Sequence, residues 1–203
     1  MKFKFLFAVL LWFGISFCSS NAYILCSLFD NPCADDPTLS PENAALAKSC
    51  LVGKNAENCQ KIAWKYYKGE DINKNEAFAI YYARKLRNID SSYDFTLAYM
   101  LGFSNNKKLR DYKTAISIFQ SRCDERKDGA SCTNAGSIFN NSLKDYKKAF
   151  SYYVKACDLN DDVGCYNLAD YYNDGIAVER NKNKAKELYK KACSLGEEAA
   201  CKK

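Results

Sequence analysis

The sequence predicts an all-α protein: a right-handed α/α superhelical solenoid of helical hairpins stapled by disulfides. Three observations carry this expectation. Cysteines fall in pairs eight or nine positions apart, at Cys50 and Cys59, Cys123 and Cys132, Cys157 and Cys165, Cys193 and Cys201. The pairs step along the chain at a nearly constant interval. Between them, small and apolar residues recur at i, i+3, i+4 and i+7, the stripe of an amphipathic helix.

The spacing within a pair requires a turn. On one continuous helix, eight residues would separate the Cα atoms by roughly 12 Å along the axis. A disulfide needs about 4.4 to 6.8 Å. The chain therefore reverses between the two cysteines, and the bond joins the end of one helix to the start of the next. Zinc is a poor alternative: the chain has no histidine and no close C-x-x-C hairpin.

The first cysteines of the pairs stand at 50, 123, 157 and 193. The long first interval is two repeats, with Leu86 and Asp94 where a pair would stand, which gives steps of 36, 37, 34 and 36. A period of this size signals stacked helical hairpins. In the last full unit, Cys165, Leu168, Ala169 and Tyr172 make the stripe of a first helix, and Ala185, Leu188, Tyr189 and Ala192 that of a second, capped by Asn181. Ser40 followed by Pro41 marks a helix start ahead of the first repeat. The unstapled junction at residues 86–94 is expected to be the first to open.

Export is expected from the beginning of the chain. Lys2 and Lys4 precede the apolar run Phe5 to Phe17, too short to span a bilayer, and Ser20-Asn21-Ala22 suits a signal-peptidase site. The alternative is a lipoprotein cut before Cys18. Either way ten cysteines remain of eleven, an even number fit for pairing in an oxidising compartment. Cys26 and Cys33 are expected, by adjacency alone, to form the fifth bond. The predicted divisions are a signal peptide at 1–22, an N-terminal cap with one helix at 23–58, and repeats at 59–93, 94–131, 132–164 and 165–200. The second repeat lacks its opening disulfide, and 201–203 ends the chain. The formal charge is +6, of which the leader's two lysines account for two. The lysines are spread, with no dense tract that would suit nucleic acid. A periplasmic or secreted monomer with no transmembrane anchor is expected.

At "CYNLADYYNDGIAVERNKNKAKELYKKACS" the chain resembles a Sel1-like repeat, a relative of the tetratricopeptide repeat. Gly175, Val178, Lys184, Ala185, Tyr189 and Ala192 stand at its signature positions. With cysteines joining successive repeats, residues 41 to 203 are similar to the cysteine-rich Sel1-like proteins of Helicobacter. The resemblance implies an exported, disulfide-stapled solenoid. It also implies either capture of a peptide or protein in a concave groove, or penicillin binding with slow β-lactamase activity.

The residues themselves offer little chemistry. A serine β-lactamase needs S-x-x-K, S-D-N and K-T-G elements. Ser104 to Lys107 is one S-x-x-K match, S-D-N is absent, and Lys113-Thr114 is followed by Ala115. The missing histidines remove Ser-His and Cys-His pairs and a zinc lactamase. "DINKNE" (71–76) begins like a calcium loop but lacks the glycine at its sixth position and has Tyr82 at its twelfth. No catalytic residue, metal site or cofactor is assigned.

What remains is a groove. Its candidate positions lie two, five, six and nine residues after each second cysteine, on the first helix of each hairpin. They are Lys61, Trp64, Lys65 and Lys68; Thr96, Tyr99, Met100 and Phe103; Asn134, Ser137, Ile138 and Asn141; Asn167, Asp170, Tyr171 and Asp174. Asn134 and Asn167 share a register, and an asparagine amide both donates to and accepts from a peptide backbone. The expected ligand is a peptide, a protein or a peptidoglycan fragment, with a β-lactam as the alternative.

Overall fold

The computed structural model describes residues 39–203. The expected leader at 1–22, the alternative lipidation site Cys18, and the pair Cys26 and Cys33 lie outside the described residues. Among those described there are nine α-helices and no strand. They are α1 (Pro41–Leu51), α2 (Ala56–Lys68), α3 (Glu76–Ile89), α4 (Asp94–Phe103), α5 (Tyr112–Glu125), α6 (Gly129–Ser137), α7 (Tyr146–Asp158), α8 (Asp162–Asp174) and α9 (Lys182–Leu195). A π-helical turn at Ile138–Leu143 continues α6, and single 3-10 turns stand at Ser91–Tyr93, Lys107–Leu109 and Ala200–Lys202. The chain divides into two compact units within α3, after Tyr82.

In the first unit α1 packs on α2. Ser40 caps α1 by accepting from the Asn43 N–H at 3.3 Å, with Pro41 in the first turn. Cys50 and Cys59 are bonded, with Cα atoms 4.6 Å apart. Tyr66 of α2 stacks on Tyr82 and lies against Phe78, so aromatic faces hold α3 to α2. Gly69 ends α2 with φ of 82°, a left-handed conformation that favours glycine.

In the second unit each helix packs on the next, from α4 through α9, and α6 also touches α8. Disulfides join Cys123 to Cys132, Cys157 to Cys165 and Cys193 to Cys201, with Cα separations of 4.9, 4.4 and 4.9 Å. The first of these bonds closes the turn between α5 and α6, the second that between α7 and α8.

All four stapled turns in the described chain share a local code. Five residues before the second cysteine the backbone is left-handed: Lys54, Lys127, Asn160 and Gly196 have φ of 50°, 57°, 59° and 124°. In three of them the next residue, Asn55, Asp128 or Asp161, caps the following helix with its side-chain oxygen. A left-handed residue reverses the chain and the Asx side chain starts the next helix, which brings the sulfurs together.

Close approach of the helices depends on small residues. Ala63, Ala98 and Ala169, at equivalent positions of α2, α4 and α8, are 0% exposed, and the equivalent position of α6 is the buried Gly136. Gly164 on α8 is tighter still. A Cβ there would stand 2.4 Å from Ala156 Cβ and 2.7 Å from Thr133 Oγ1. The same Thr133 hydroxyl donates to Asp161 Oδ1 at 2.7 Å, which ties α6 to the cap of α8.

The junction without a disulfide is closed by other means. Leu86 is fully buried where a cysteine would stand, and Asp90 caps the 3-10 turn by accepting from Ser92 N–H at 2.8 Å. Asp94 holds Arg122 at 2.8 Å and Arg126 at 3.4 Å. Arg122 also donates to the Ser92 carbonyl at 2.9 Å and pairs with Asp128 at 2.8 Å. One guanidinium thus links the start of α4, the end of α5 and the cap of α6. Burial raises the Asp128 carboxyl, but the Ser131 hydroxyl and Arg122 outweigh it and hold the group below its ordinary 3.8.

Two outcomes follow from this packing. Gly164→Ala should destabilise the oxidised protein by about 1–3 kcal/mol, despite alanine's better helix propensity, because α7 and α8 must separate. Urea unfolding measures it, and an unchanged midpoint would refute the close-contact account. Asp94→Asn should cost about 1–3 kcal/mol and speed amide exchange at residues 87–93 while leaving 158–164 unchanged. A lowered folded pKa places the stabilisation from Asp128 above pH 3.8 and removes it as pH falls through the folded value. Asp128→Asn should therefore show a shallower loss of stability below pH 3.8 than the parent, and equal acid slopes would contradict the assignment.

Candidate functional site

The sixteen groove positions do not behave alike. In the second unit those six residues after the second cysteine position turn into the seam between hairpins: Met100 and Ile138 are 0% exposed and Tyr171 3%, whereas Lys65 of the first unit stays half-buried. Thr96, two residues after the cysteine position, is also buried at 2%. Thr96, Met100, Ile138 and Tyr171 are therefore corrected from groove residues to interior ones. Neighbouring hairpins cover this flank of the first helix, and the 3.6-residue period alone does not say how far the cover extends. Tyr171 still has a polar task, since its hydroxyl donates to Asn140 Oδ1 at 2.7 Å. Burial, then the neighbouring Tyr153 and Tyr146 hydroxyls, push its pKa well above the usual tyrosine range.

In the first unit α2 presents Lys61, Trp64, Lys65 and Lys68 beside Gln60 and Glu70, around an open cleft of about 440 Å³. Trp64 meets Tyr67 edge-on at 5.6 Å between ring centroids, and the Lys68 ammonium lies 5.9 Å from the Trp64 ring. Lys61, Lys65 and Lys68 pair with Glu57, Asp71 and Glu70 at 2.6, 3.4 and 3.3 Å. Each lysine is thus matched by a nearby acid, which leaves the cleft mixed in charge.

In the second unit, Tyr99 is half-buried between Phe95 and Phe103, at 6.2 and 5.0 Å between ring centroids. The more polar surface is on α6 and α8. Asn134, Ser137, Asn167 and Asp170 are half-exposed there, with Asn141 and Asp174 exposed. Asp170 accepts a hydrogen bond from the Tyr189 hydroxyl. Burial, then this bond to a carboxylate, raises the Tyr189 pKa far above its usual value, so the phenol keeps its proton. Tyr166 stands 5.5 Å from Tyr189, and the Lys203 ammonium lies 5.7 and 5.4 Å from the two rings. By periodicity Tyr189 belongs to the core stripe of α9, and no motif marks Tyr166 or Lys203. Asp170 and Tyr189 come together only through the packing of α8 on α9.

Ser104 is no accessible nucleophile. It is 0% exposed, its hydroxyl donates to the Asn106 carbonyl at 3.2 Å, and its own carbonyl accepts from Arg110 at 2.6 Å. The 71–76 loop is structural: Asn75 caps α3 by accepting from Ala77 and Phe78 N–H at 3.1 Å, and the Asp71 carbonyl accepts from Asn43. Among the described residues no group of three or more acidic, cysteine or histidine side chains could hold a metal ion. No described helix is long and apolar enough to cross a membrane.

The Sel1 repeat family model matches residues 59–87, 130–161 and 163–197. No curated protein matches the sequence. Among solved structures, the chain is similar to a Sel1 repeat protein from Oxalobacter formigenes, at 20% identity and a TM-score of 0.59, over 78% of this chain and 66% of that one. It is also similar to a protective antigen of uropathogenic Escherichia coli with an SLR fold, at 18% identity and a TM-score of 0.57, over 89% of this chain and 39% of that one. Cysteine rich protein B of Helicobacter pylori is 29% identical, with a TM-score of 0.47, over 66% of this chain and 98% of that one. The chain spans less than two thirds of the length of the Oxalobacter and Escherichia proteins. The repeating hairpins, their period and the family match agree that this chain carries Sel1 repeats.

Proposed function

We propose that this protein is an exported, disulfide-stapled scaffold that holds an extended peptide or protein segment against the polar faces of α6 and α8. A peptide stem from peptidoglycan has the same backbone chemistry and belongs to the same class. The observation that carries the reading is the repeat of half-exposed Asn134 and Asn167 at one register on two touching helices. Each amide offers a donor and an acceptor, the pair of groups that an extended backbone needs. Ser137 and Asp170 stand one turn further along the same helices. Four disulfides suit an oxidising compartment outside the cytosol.

Binding is favoured over β-lactam hydrolysis by the burial of Ser104, the serine of the single S-x-x-K match. A peptide-array screen with oxidised protein tests the reading. Peptides selected there should lose about tenfold in affinity for Asn134→Ala/Asn167→Ala, by loss of two backbone hydrogen bonds, with the melting temperature unchanged. Undiminished affinity would move the ligand away from α6 and α8. Nitrocefin should show no turnover, and hydrolysis that survives repeated purification would replace the binding reading with an enzymatic one.

A further inference from the structure

Tyr166, Tyr189 and Asp170 surround one cation. The Lys203 ammonium sits 5.7 and 5.4 Å from the two ring centroids and 4.0 Å from Asp170 Oδ1. Two π faces and a carboxylate form a cage for an ammonium or guanidinium group. The Tyr189 hydroxyl, by donating to Asp170, fixes the carboxylate beside its own ring. The chain fills this cage from the 3-10 turn at Ala200–Lys202, which packs on α9 and carries few holds of its own. Ala200 is buried at 4%, and Cys201 is bonded to Cys193.

That bond differs in access from the other three among the described residues. Cys50, Cys59, Cys123, Cys132, Cys157 and Cys165 are all 3% exposed or less. Cys201 is exposed and Cys193 partly so. Thiol exchange requires a thiolate to reach sulfur in line with the bond, so access sets which disulfide reacts.

We propose that the Tyr166–Tyr189–Asp170 cage is a binding site for a lysine or arginine side chain of a bound peptide, that Lys203 is its tethered competitor, and that thiol exchange at Cys193–Cys201 releases the tether. The proposal rests on the reading of the α6 and α8 face as the ligand surface, and it names the side-chain chemistry taken at one end of it. In the exchange, a small-thiol thiolate attacks the exposed Cys201 sulfur and forms a mixed disulfide, while Cys193 leaves as thiolate and takes a proton from water. A second thiol then attacks the mixed disulfide, forms the small-molecule disulfide and leaves Cys201 reduced. Two thiols are oxidised and one protein disulfide is reduced. The covalent tie of the last turn to α9 is then gone, and the cage opens to an incoming cation.

The probes are Nα-acetyl-lysine amide and its norleucine counterpart, titrated into ¹⁵N-labelled, oxidised protein while the amides of Tyr166, Asp170 and Tyr189 are followed. If Lys203 fills the cage about nine-tenths of the time, Lys203→Ala should tighten the lysine probe about tenfold. Cys193→Ser/Cys201→Ser should tighten it in the same direction, and Asp170→Asn should abolish the shifts. Equal affinity in the parent and Lys203→Ala, or equal shifts with norleucine, would overturn the cage. Glutathione treatment followed by alkylation and mass mapping should label Cys193 and Cys201 before the pairs Cys50–Cys59, Cys123–Cys132 and Cys157–Cys165. Labelling of Cys157 and Cys165 first, or of all pairs together, would overturn the release step. The single-residue probe reads the cage alone, so its failure is distinct from the failure of longer peptides to depend on Asn134 and Asn167.

Discussion

Closure of the turn between successive hairpins is the constraint on which the other features depend. Each stapled turn brings the Cα atoms of its cysteines to between 4.4 and 4.9 Å. That separation is reached because one left-handed residue reverses the chain and, in three turns, an Asx side chain starts the next helix. With the turn fixed, the second helix of one hairpin must lie against the first helix of the next. Small residues at the contact then let the axes approach until larger side chains fill the seams. Each bond adds roughly 2 to 3 kcal/mol by the chain-entropy account for a loop of this length. For a chain of thin, two-helix layers, that is a large share of what each layer needs.

The junction at residues 86–94 shows what the turn requires when the bond is absent. Leu86 fills the cysteine's volume, and Asp94 collects two arginines from the end of α5. An ionic network of this kind works because the groups are partly buried and each has more than one partner. It differs from a disulfide in what breaks it. Acid weakens the charge pairs and leaves the sulfurs joined, whereas a reductant opens the accessible disulfide and leaves the charges paired. The two kinds of joint give different parts of the second unit different chemical sensitivities.

The proposed ligand surface is shaped by the same packing. Positions six residues after the second cysteine are consumed by the seam in the second unit, where Met100, Ile138 and Tyr171 are interior. Positions two and five residues after it keep Asn134, Ser137, Asn167 and Asp170 half-exposed. The same rotation that buries Tyr171 turns Asp170 toward α9, where it meets Tyr189.

The sequence by itself determined the helical hairpins, their period, the four repeat disulfides and the helix starts at Ser40 and Asn181. All of these are local: cysteine spacing, helical stripe and cap residue act within one or two turns of chain, and a reader of residues alone can recover them. Tertiary structure decided the rest. Thr96 and Tyr171 looked like surface positions by helical phase, yet the adjacent hairpin covers them. Asp94 read as a degraded cysteine position until Arg122 and Arg126, 28 and 32 residues further on, came beside it. Tyr189 reads as core and is buried, but only the packing of α9 and the last 3-10 turn brings its hydroxyl and the Lys203 ammonium to Asp170. Contacts between residues so far apart in sequence depend on the angle at which whole helices pack, and that angle is set by the summed volumes of many side chains rather than by any short motif.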